Sequence, residues 1–456
     1  MELLNKRVSV IGIGSTKFSG FYAALLAKRE GAKVFLSEKG NEEKFEDLIE
    51  NLKKEGIEYE FGKNSKRILN SDLIVLSPGV PLNIPVLKEA REKGIEIIGE
   101  LEFGFRFIRG EVIAITGTSG KSTTTTLTYL FLKNSGLPVT IGGNIGIPLS
   151  KIVIDERDGI FVLEVSCFQL ETIKRFKPHV VIFVSFHEDH LNRYSTMDEY
   201  LEVKKRIFIN QTDKDYAILN YDDKTVRDLS SSVNSRALFF STKKKVAGAY
   251  LTNGKLIIQF DNIKKEIIDS REILLKGEFN IRNILGASLG AFIMGAKVDS
   301  IRETLKDFKG LEHRLQYAGK IKGITFINDS KSTKPESTIA ALSAFPKGRI
   351  ILLLGGSSKK TDFHKLVNFA VDRVKYILLM GETAPEFEKI FKEIGFKSYE
   401  NVKDLKEAVE VALNIGEKGD FFLLSPACAS FDMFVDFEDR GEKFVKIVEE
   451  MSEKKS

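Results

Sequence analysis

The chain has 456 residues, 43% of them apolar, and at ~150 residues per domain this length predicts about three domains. Its 69 basic and 64 acidic residues leave a net charge of +5, which lacks the strong basic excess of nucleic-acid-binding proteins. The apolar runs are shorter than the ~20 residues that span a bilayer, and Cys167 and Cys428 alone cannot form a disulfide framework. We therefore expect a cytoplasmic protein with buried free thiols, no membrane insertion and no nucleic-acid partner.

The first hundred residues alternate short apolar runs with amphipathic segments. The runs lie at 8–14, 32–38, 72–80 and 95–100. Strands that alternate with helices in this way predict a parallel, doubly wound sheet. Gly12 and Gly14 resemble a dinucleotide-binding loop, but Lys17 stands at the third glycine position, and the acidic residue expected at the end of the second strand is displaced. These departures favour a nucleotide-sugar or purely structural role over NAD binding.

Two further α/β blocks follow. The second begins near residue 111 and contains fully apolar runs at 159–166 and 179–186, as in buried parallel strands. From about 216 to 270 the pattern changes to alternating β, with a type I′ hairpin predicted at 252–255 and a helix at 280–294. The third block begins near residue 311, with strands predicted at 324–329, 349–356, 376–381 and 420–427. The predicted fold class is α/β with three domains.

The segment 113–126, IAITGTSGKSTTTT, predicts a phosphate-binding loop between a buried strand and a helix. Glycines before a helix N-terminus leave backbone N–H groups available to anionic oxygens. Lys121 would reach the β- and γ-phosphates of a nucleotide, and Ser122 would bind Mg²⁺. A plain glycine-rich turn explains the glycines but not the Lys–Ser pair after them. The usual first glycine of this motif is absent, because that position is Ile115.

Acidic and histidine side chains follow the next two apolar runs. Glu164 ends one of them, at the sheet edge where open α/β sheets bind ligands. It would ligate Mg²⁺ there, with a buried glutamate paired to a basic residue as the alternative. In HEDH (187–190) the histidines are three positions apart, whereas the zincin motif needs four. One of His187 and His190 is expected to act at the phosphate site, and the spacing does not decide which.

Three loops of the third block each follow a predicted strand and carry polar side chains. The loops span 326–338, 352–363 and 423–434, and they supply Asp329, Ser330, Lys331, Thr333, Lys359 and Ser430. Such groups suit the recognition of carboxylates or phosphates. Polar turns explain any one loop, but three on one sheet edge predict a ligand site.

Seven motifs occur in the order that is typical of the Mur ligases, and the chain resembles that family over its whole length. The motifs are TGTSGKST (116–123), NIG (144–146), EVSCFQLE (164–171), EDHLNRY (188–194), EHR (312–314), NDSKST (328–333) and SPACASFD (425–432). The family's loop also lacks the first glycine. The resemblance implies a Rossmann-like domain at 1–99 for the UDP end of the substrate, a central ATP-binding domain at 100–310, and a mobile, Rossmann-like amino-acid-binding domain at 311–456. The central domain would be P-loop ATPase-like, with a parallel sheet plus a small antiparallel sheet.

The resemblance also implies the site residues. Lys121, His190 and Lys204 correspond to catalytic positions. Lys204 corresponds to a lysine that is carbamylated, and this modification requires a lowered pKa, since only a neutral amine reacts with CO₂. The ligands of two Mg²⁺ ions correspond to Ser122, Glu164, His190 and Lys204. The ATP-binding positions are Gly117, Thr118, Ser119, Gly120, Lys121, Ser122, Thr123, Asn280, Asn283, Arg314 and Asp329. The substrate-binding positions are Gly14, Ser15, Thr16, Ser37, Lys39, Ser77, Pro78, Gly79, Asn144, Lys331, Thr333, Lys359, Ser430 and Phe437.

The chain departs from the family's pattern at a few of these positions. Ser119 stands where many members have Asn, and Phe279 replaces the histidine that usually precedes Asn280. Lys17 and the segment 37–39 differ from the family's UDP-side residues. Recognition of UDP is therefore expected to use different partners here.

The activity implied by the resemblance is ATP-dependent amide formation. A monomer would join D-glutamate to UDP-N-acetylmuramoyl-L-alanine through an acyl phosphate, in peptidoglycan precursor synthesis. A sister ligase that adds a diamino acid is one alternative, but its Asp-Asn-Pro-Arg signature is absent. A folylpolyglutamate synthetase would not need the UDP-type first domain, and a nucleotide-dependent switch would lack ligase chemistry.

Overall fold

The computed structural model describes residues 3–14, 18–189, 193–275, 277–343, 345–357 and 361–453. These residues form two compact units. The first unit comprises the chain up to Ile273 together with Asn280–Lys306, and the second comprises Leu274–Phe279 and the chain from Asp307 onward.

The first sheet of the first unit is fully parallel. Its elements are β1 Arg7–Ile11, α1 Ser19–Arg29, β2 Lys33–Glu38, α2 Glu46–Lys54, β3 Glu58–Phe61, β4 Leu73–Leu76, α3 Pro85–Glu92 and β5 Glu96–Gly99, with 3₁₀ turns at Glu42–Phe45 and Lys66–Asn70. The strand order is β3-β2-β1-β4-β5. The chain reverses its direction across the sheet between β1 and β4, which is where such folds bind ligands. The doubly wound sheet predicted for this region is confirmed.

The second sheet combines parallel and antiparallel strands. Its elements are α4 Glu100–Phe105, β6 Glu111–Thr116, α5 Lys121–Asn134, β7 Val139–Gly143, α6 Leu149–Asp155, β8 Ile160–Glu164, α7 Cys167–Leu170, β9 Val180–Phe183, α8 Met197–Lys205, β10 Tyr216–Asn220, α9 Lys224–Asp228, β11 Arg236–Ser241, β12 Gly248–Thr252, β13 Lys255–Phe260, β14 Ile263–Asp269, α10 Glu278–Ile293 and α11 Val298–Asp307, with 3₁₀ turns at Arg206–Phe208 and Leu229–Ser231. Among the described residues the strand order is β14-β13-β12-β11-β10-β9-β6-β8-β7. Because β6 lies between β8 and β9, the loops that follow these three strands meet at one edge.

The antiparallel strands extend the central sheet instead of forming a sheet of their own. The turn between β12 and β13 is Asn253-Gly254, and both residues have positive φ (49° and 76°), as the predicted type I′ hairpin requires. β12 pairs in parallel with β11, however. The small antiparallel sheet expected beside the parallel one is thus continuous with it.

A single core joins the first two sheets. It contains Phe21 of α1, Phe103 of α4 and Leu149 of α6, all buried. Glu102 is buried as well, and it accepts hydrogen bonds from the backbone N–H groups of 174–176 and from Arg106. A buried carboxylate is tolerated when it is bonded in this way, and here it fastens α4 to the second sheet.

The second unit holds the third sheet. Its elements are β15 Gln316–Ile321, β16 Ile324–Asn328, α12 Pro335–Leu342, β17 Ile350–Leu354, α13 His364–Val371, β18 Val374–Leu379, α14 Ala384–Ile394, β19 Tyr399–Asn401, α15 Leu405–Ile415, β20 Phe421–Leu424 and α16 Phe437–Glu453. The described strands are ordered β15-β16-β20-β17-β18-β19. All pair in parallel except β15, which is antiparallel to β16 and was not predicted.

Two predictions from composition can be compared with the structure. Cys167 and Cys428 are both buried and free, as expected. Among the described residues, no helix has the length and apolar character needed to cross a membrane.

Glu100 makes the first unit sensitive to pH. Its side chain is 1% exposed and accepts a hydrogen bond of 2.6 Å from the backbone N–H of Ser150. Burial raises the pKa of Glu100 to about 7. The folded state therefore binds a proton that the unfolded chain, with a carboxyl pKa near its ordinary value, releases. The associated stability is fully present below about pH 4.5 and is lost as the pH rises through 7.

We predict that Glu100→Gln stabilises the protein at pH 8, because an amide needs no proton to be neutral. The expected gain is about 3 kcal/mol at pH 8 and less than about 0.5 kcal/mol at pH 4.5. Urea unfolding of wild type and variant at both pH values measures it. Glu92→Gln, an exposed position on α3, serves as the control and should show no such pH dependence. An equal effect of Glu100→Gln at both pH values would contradict the prediction.

Candidate active site

The phosphate loop lies at the centre of the second sheet, between β6 and α5. Gly117 and Gly120 have φ values of +146° and +85°, which L side chains rarely adopt. A Cβ on Gly117 would lie 3.0 Å from the backbone nitrogen of Ser185, and one on Gly120 would lie 2.4 Å from Oδ1 of Asn283. Only glycine fits at both positions, so the two loop glycines are required by backbone shape and by close packing.

The helix after the loop begins at Lys121, as predicted. The Lys121 ammonium donates to the carbonyl oxygens of Gly117 and Thr118, each at 2.9 Å, so its charge lies over the loop. Hydroxyl groups along this helix are bonded to its own backbone. Thr125 Oγ1 donates to the carbonyl of Lys121, and Thr128 Oγ1 to that of Thr124. These bonds satisfy hydroxyls that are buried inside the unit.

Lys204 of α8 reaches the same loop from the side. It is 1% exposed, and its Nζ donates to the carbonyl oxygen of Gly117 at 2.9 Å while lying 5.0 Å from the centre of the Tyr200 ring. Burial, followed by the neighbouring charge of Lys121, lowers the pKa of Lys204 to about 7. The lowered pKa expected for this lysine is confirmed, and a large fraction of its amine is neutral at physiological pH.

Glu164 ends β8 directly beside the phosphate loop, since it pairs in register with Ile115 of β6. Its Oε1 accepts a 2.6 Å hydrogen bond from Nδ2 of Asn144. Its Oε2 is buried and has no hydrogen-bond partner among the described residues. A buried carboxylate oxygen left over in this way fits a Mg²⁺ ligand, which is what the sequence predicts for Glu164, together with the Ser122 hydroxyl at the start of α5.

The described residues contain no group of three or more His, Cys, Asp or Glu side chains that would hold a metal ion. Mg²⁺ is commonly bound through one or two protein oxygens plus phosphate and water, so Glu164 and Ser122 alone are compatible with it. His190, the predicted ligand of a second ion, lies outside the described residues, as do Ser15, Thr16 and Lys359. His187 is described, and its Nε2 lies 3.1 Å from Ser119 Oγ.

The predicted adenine-side residues lie on α10. Asn280 and Asn283 are both buried, and Asn283 packs against Gly120. The structure thus brings Asn283 to the phosphate loop. Thr123, also predicted to bind ATP, is buried in the first turn of α5.

Two loops of the first sheet meet at the point where its strand order reverses. The hydroxyls of Ser19 and Ser77 lie 2.8 Å apart, and a Cβ on Gly14 would lie 3.1 Å from Ser77 Oγ. Ser77, Pro78 and Gly79 line a cleft. Phe168 of α7 and Arg193, which lies between β9 and α8, line it as well. The predicted substrate residues Gly14 and 77–79 are therefore neighbours.

Ser37 and Lys39, at the end of β2, lie in different surroundings. Ser37 is fully buried, and its hydroxyl lies 2.8 Å from Glu60 Oε1 and 2.9 Å from Asn64 Oδ1, so it is engaged within the sheet. Lys39 is exposed. Glu38, which was not among the predicted site residues, accepts from the backbone N–H groups of Ile13 and Gly40, each at 2.7 Å. An acidic residue at the end of a second strand was the available signal for it.

The second unit assembles its own polar cluster at the carboxyl ends of β16 and β20. Asp329 is fully buried and accepts a 2.7 Å hydrogen bond from Ser425 Oγ, and burial raises its pKa to about 6. Arg314 lies close enough to favour its charged form. The Lys331 ammonium lies 5.2 Å from the centre of the Phe437 ring. Ser430 is buried and Thr333 is half-buried.

Comparison with known proteins identifies the family. Three family profiles match in chain order: Mur ligase MurD-like, N-terminal domain at 6–99, Mur ligase middle domain at 115–291, and Mur ligase, glutamate ligase domain at 313–428. The chain is 40% identical over 453 residues to the UDP-N-acetylmuramoylalanine–D-glutamate ligase of Alkaliphilus metalliredigens, covering 98% of this chain and 99% of that relative. It is 40% identical over 456 residues to the enzyme of the same name from Thermoanaerobacter pseudethanolicus, covering 99% and 100%.

The chain belongs to the Mur ligase family. Its fold agrees with a solved structure, the UDP-N-acetylmuramate-alanine ligase of Thermotoga maritima, with a TM-score of 0.55, 19% identity, and coverage of 98% of this chain and 100% of the other. The fold class predicted from the sequence is confirmed.

In this Mur ligase, sequence reasoning missed Arg440 of α16. Arg440 is fully buried, and its guanidinium donates to Ser330 Oγ at 2.9 Å, to the Ser330 carbonyl at 2.9 Å and to the Cys428 carbonyl at 3.2 Å. It joins the loops after β16 and β20, which carry most of the predicted amino-acid-site residues. Since Ser330, its partner through two hydrogen bonds, lies 110 positions away in the chain, no local pattern marked it.

We predict that Gly120→Ala disrupts the phosphate loop of this Mur ligase, because the new methyl group would meet Asn283 and Val184 as well as a left-handed backbone. The matched control is Gly136→Ala, just beyond the other end of α5. Gly136 has nearly the same φ, +82°, but no neighbour within 4 Å of an added Cβ. Gly136→Ala should cost about 1 kcal/mol of stability, whereas Gly120→Ala should cost more and also weaken ATP binding. Equal effects on stability and ATP affinity, measured by thermal unfolding and calorimetry, would show that crowding at Gly120 is unimportant.

Proposed function

We propose that this Mur ligase joins D-glutamate to UDP-N-acetylmuramoyl-L-alanine at the expense of ATP, in the synthesis of peptidoglycan precursors. The observation that carries the proposal is 40% identity over the full chain to ligases named for this reaction. The phosphate loop supports it, because Gly117, Lys121 and the N-terminus of α5 form an anion site next to a buried carboxylate, Glu164.

The first step transfers the γ-phosphoryl group of ATP. The carboxylate of the L-alanyl group attacks the γ-phosphorus, the bond to the β-phosphate oxygen breaks, and an acyl phosphate and ADP result. Both reactants are anionic, so the main task is to neutralise charge while holding them in line. Lys121 would supply a positive charge, and the first N–H groups of α5 would donate to the phosphates.

Magnesium has two proposed sites. Ser122 and Glu164 would hold one ion, and His190 and Lys204 the other. When bound, Mg²⁺ would offset the negative charge of the phosphates. The buried, unpartnered Oε2 of Glu164 supports the first site.

Lys204 is proposed to act as a carbamate. Its ammonium form and that of Lys121 donate to the same carbonyl oxygen, so two positive charges repel each other there. CO₂ adds to the neutral amine, a proton leaves, and the product carries a negative charge. The repulsion then becomes attraction, and Lys204 becomes an oxygen ligand suited to Mg²⁺.

The second step forms the amide. The amine of D-glutamate attacks the acyl carbon, a tetrahedral intermediate forms, and inorganic phosphate leaves. The residues proposed to bind D-glutamate lie in the second unit: Lys331, Thr333, Lys359, Ser430 and Phe437. Arg314 and Asp329 stay predicted nucleotide contacts.

The remaining predictions concern organisation. The domain division 1–99, 100–310 and 311–456 stays a proposal, and the three family matches fall within it. The UDP end of the substrate is proposed to bind Gly14, Ser15, Thr16, Ser37, Lys39 and 77–79, with Asn144 nearer the reacting carboxylate. The protein is proposed to act as a monomer without a nucleic-acid partner. Its proposed location is the cytoplasm, where ATP and nucleotide-linked precursors are made.

A phosphate-release assay tests the proposed reaction. We expect release only when ATP, Mg²⁺, UDP-N-acetylmuramoyl-L-alanine and D-glutamate are all present, and none when L-glutamate, D-aspartate or an L-diamino acid replaces D-glutamate. Turnover with a diamino acid and a longer UDP-linked precursor would instead identify a sister ligase. Phosphate release from ATP alone would indicate a nucleotide switch.

Lys204→Arg tests the carbamate. Arginine keeps the positive charge but does not form a carbamate, so kcat should fall by about 10²–10³-fold, as for the loss of one electrostatic contact to a reacting group. Lys205→Arg, at the neighbouring position on α8, is the control and should retain wild-type turnover. Near-normal turnover of Lys204→Arg would rule out the carbamate.

A further inference from the structure

The loop that follows β9 engages the phosphate loop with its backbone and one hydroxyl. The backbone N–H of Thr118 donates to the carbonyl of Ser185 at 2.8 Å, and that of Ser119 donates to Ser185 Oγ at 2.9 Å. Ser185 Oγ in turn donates to the Ser119 carbonyl. The N–H groups of Thr118 and Ser119, which in other phosphate loops would face the ligand, are therefore used within the protein.

Because the backbone N–H of Ser119 is used in this way, the Ser119 hydroxyl is the group of this residue that can donate to a phosphate. Ser119 is exposed at the top of the loop. A hydroxyl has one hydrogen, so the direction of that hydrogen decides whether Ser119 donates to a ligand or to the protein. His187 is the neighbour that bears on that direction, because its Nε2 lies 3.1 Å from Ser119 Oγ, and the tautomer of the ring decides which of the two atoms donates.

His187 is held firmly against the loop. Its backbone N–H donates to Thr118 Oγ1 at 3.2 Å, and Thr118 Oγ1 lies 3.2 Å from the His187 carbonyl. The pKa of His187 is lowered, mainly by desolvation; the charges of Asp189 and Asp223 oppose this shift, and those of Lys121 and Lys204 add to it. The imidazole is therefore neutral at pH 7.5 and has a single N–H.

We propose that His187 is a positioning residue of the ATP site: Nε2–H donates to Ser119 Oγ and leaves the serine hydrogen to donate to a phosphate of the bound nucleotide. The proposal rests on the ATP-dependent function above and adds His187 to a site that was assigned only His190. Many family members have an asparagine at the position of Ser119, and its amide would donate to the phosphate directly. Here Ser119 and His187 together would supply that donor. The plainer role for His187 is a brace that only stabilises the loop.

The two roles predict different binding measurements on the full-length protein. If His187 orients Ser119, then His187→Ala should weaken ATP and ADP binding about tenfold, the loss of one well-placed hydrogen bond, and leave adenosine binding unchanged. His187→Gln places an amide N–H at a similar distance and should restore most of the affinity. His364→Ala, an exposed histidine on α13 of the second unit, is the matched control and should bind like wild type.

A double-mutant cycle tests whether His187 acts through Ser119. Ser119→Ala alone and Ser119→Ala with His187→Ala should lose the same affinity for ATP, because both lack the same donor. In Ser119→Asn, whose amide donates without help, adding His187→Ala should have little effect. The proposal is overturned if the losses of the single variants add, or if His187→Ala binds ATP like wild type.

Two further outcomes separate this proposal from its neighbours. If His187→Ala weakens adenosine and ATP binding equally and lowers the melting temperature, the residue is a brace and the proposal is wrong. If the wild-type protein binds no ATP in the presence of Mg²⁺, the proposed ligase function falls. If it binds ATP and His187→Ala binds equally well, only the role of His187 falls.

Discussion

The carbonyl oxygen of Gly117 is the point on which the chemistry of the first unit depends. Two lysine amines, from α5 and α8, donate to it at 2.9 Å. This arrangement needs a backbone with a φ of +146°, a helix that starts at Lys121 and a second helix that brings Lys204 inward. It places the Lys121 cation that would meet the phosphates, while the burial of Lys204, followed by the charge of Lys121, lowers the pKa of Lys204 to about 7. Glu164 lies one strand away and Asn144 lies at the end of the strand beyond it, so the strand order of the sheet places the remaining polar groups.

Much of the fold could be predicted because its central strands are nearly continuous runs of apolar residues. β6, β8 and β9 are almost entirely buried, and runs of that kind reveal parallel strands without an alignment. The pair Asn253-Gly254 marks its hairpin by local backbone chemistry. β15 was missed because only two of its residues are buried and Gly319 interrupts its pattern. That β12 joins β11 was also missed, since the choice of strand partner depends on contacts between distant parts of the chain.

The site divides in the same way. The phosphate loop, Glu164 and the polar loops of the second unit follow predicted strands, so their placement at the sheet edges could be foreseen. Arg440 could not be foreseen, because the serine to which it donates lies 110 positions away. For Glu38 and His187 the sequence carried a signal but did not reveal their contacts, since their partners lie 25 and 68 positions away. The spacing in HEDH did not decide which of the two histidines acts at the phosphate site. The fold shows that His187 contacts the phosphate loop. Glu38 accepts from backbone N–H groups, and Arg440 donates to backbone carbonyls and a hydroxyl. Bonds of this kind leave no short motif in the sequence.

The closeness of Gly120 to Asn283 restricts how this sequence can change over generations. Gly120 lies in the loop just before α5 and Asn283 lies on α10, yet any side chain at Gly120 would occupy the space of the Asn283 amide. A side chain at position 120 is acceptable only if residue 283 leaves room for it and the backbone tolerates a φ of +85°. The residue at position 120 thus depends on the residue at position 283, and the two positions are expected to change together.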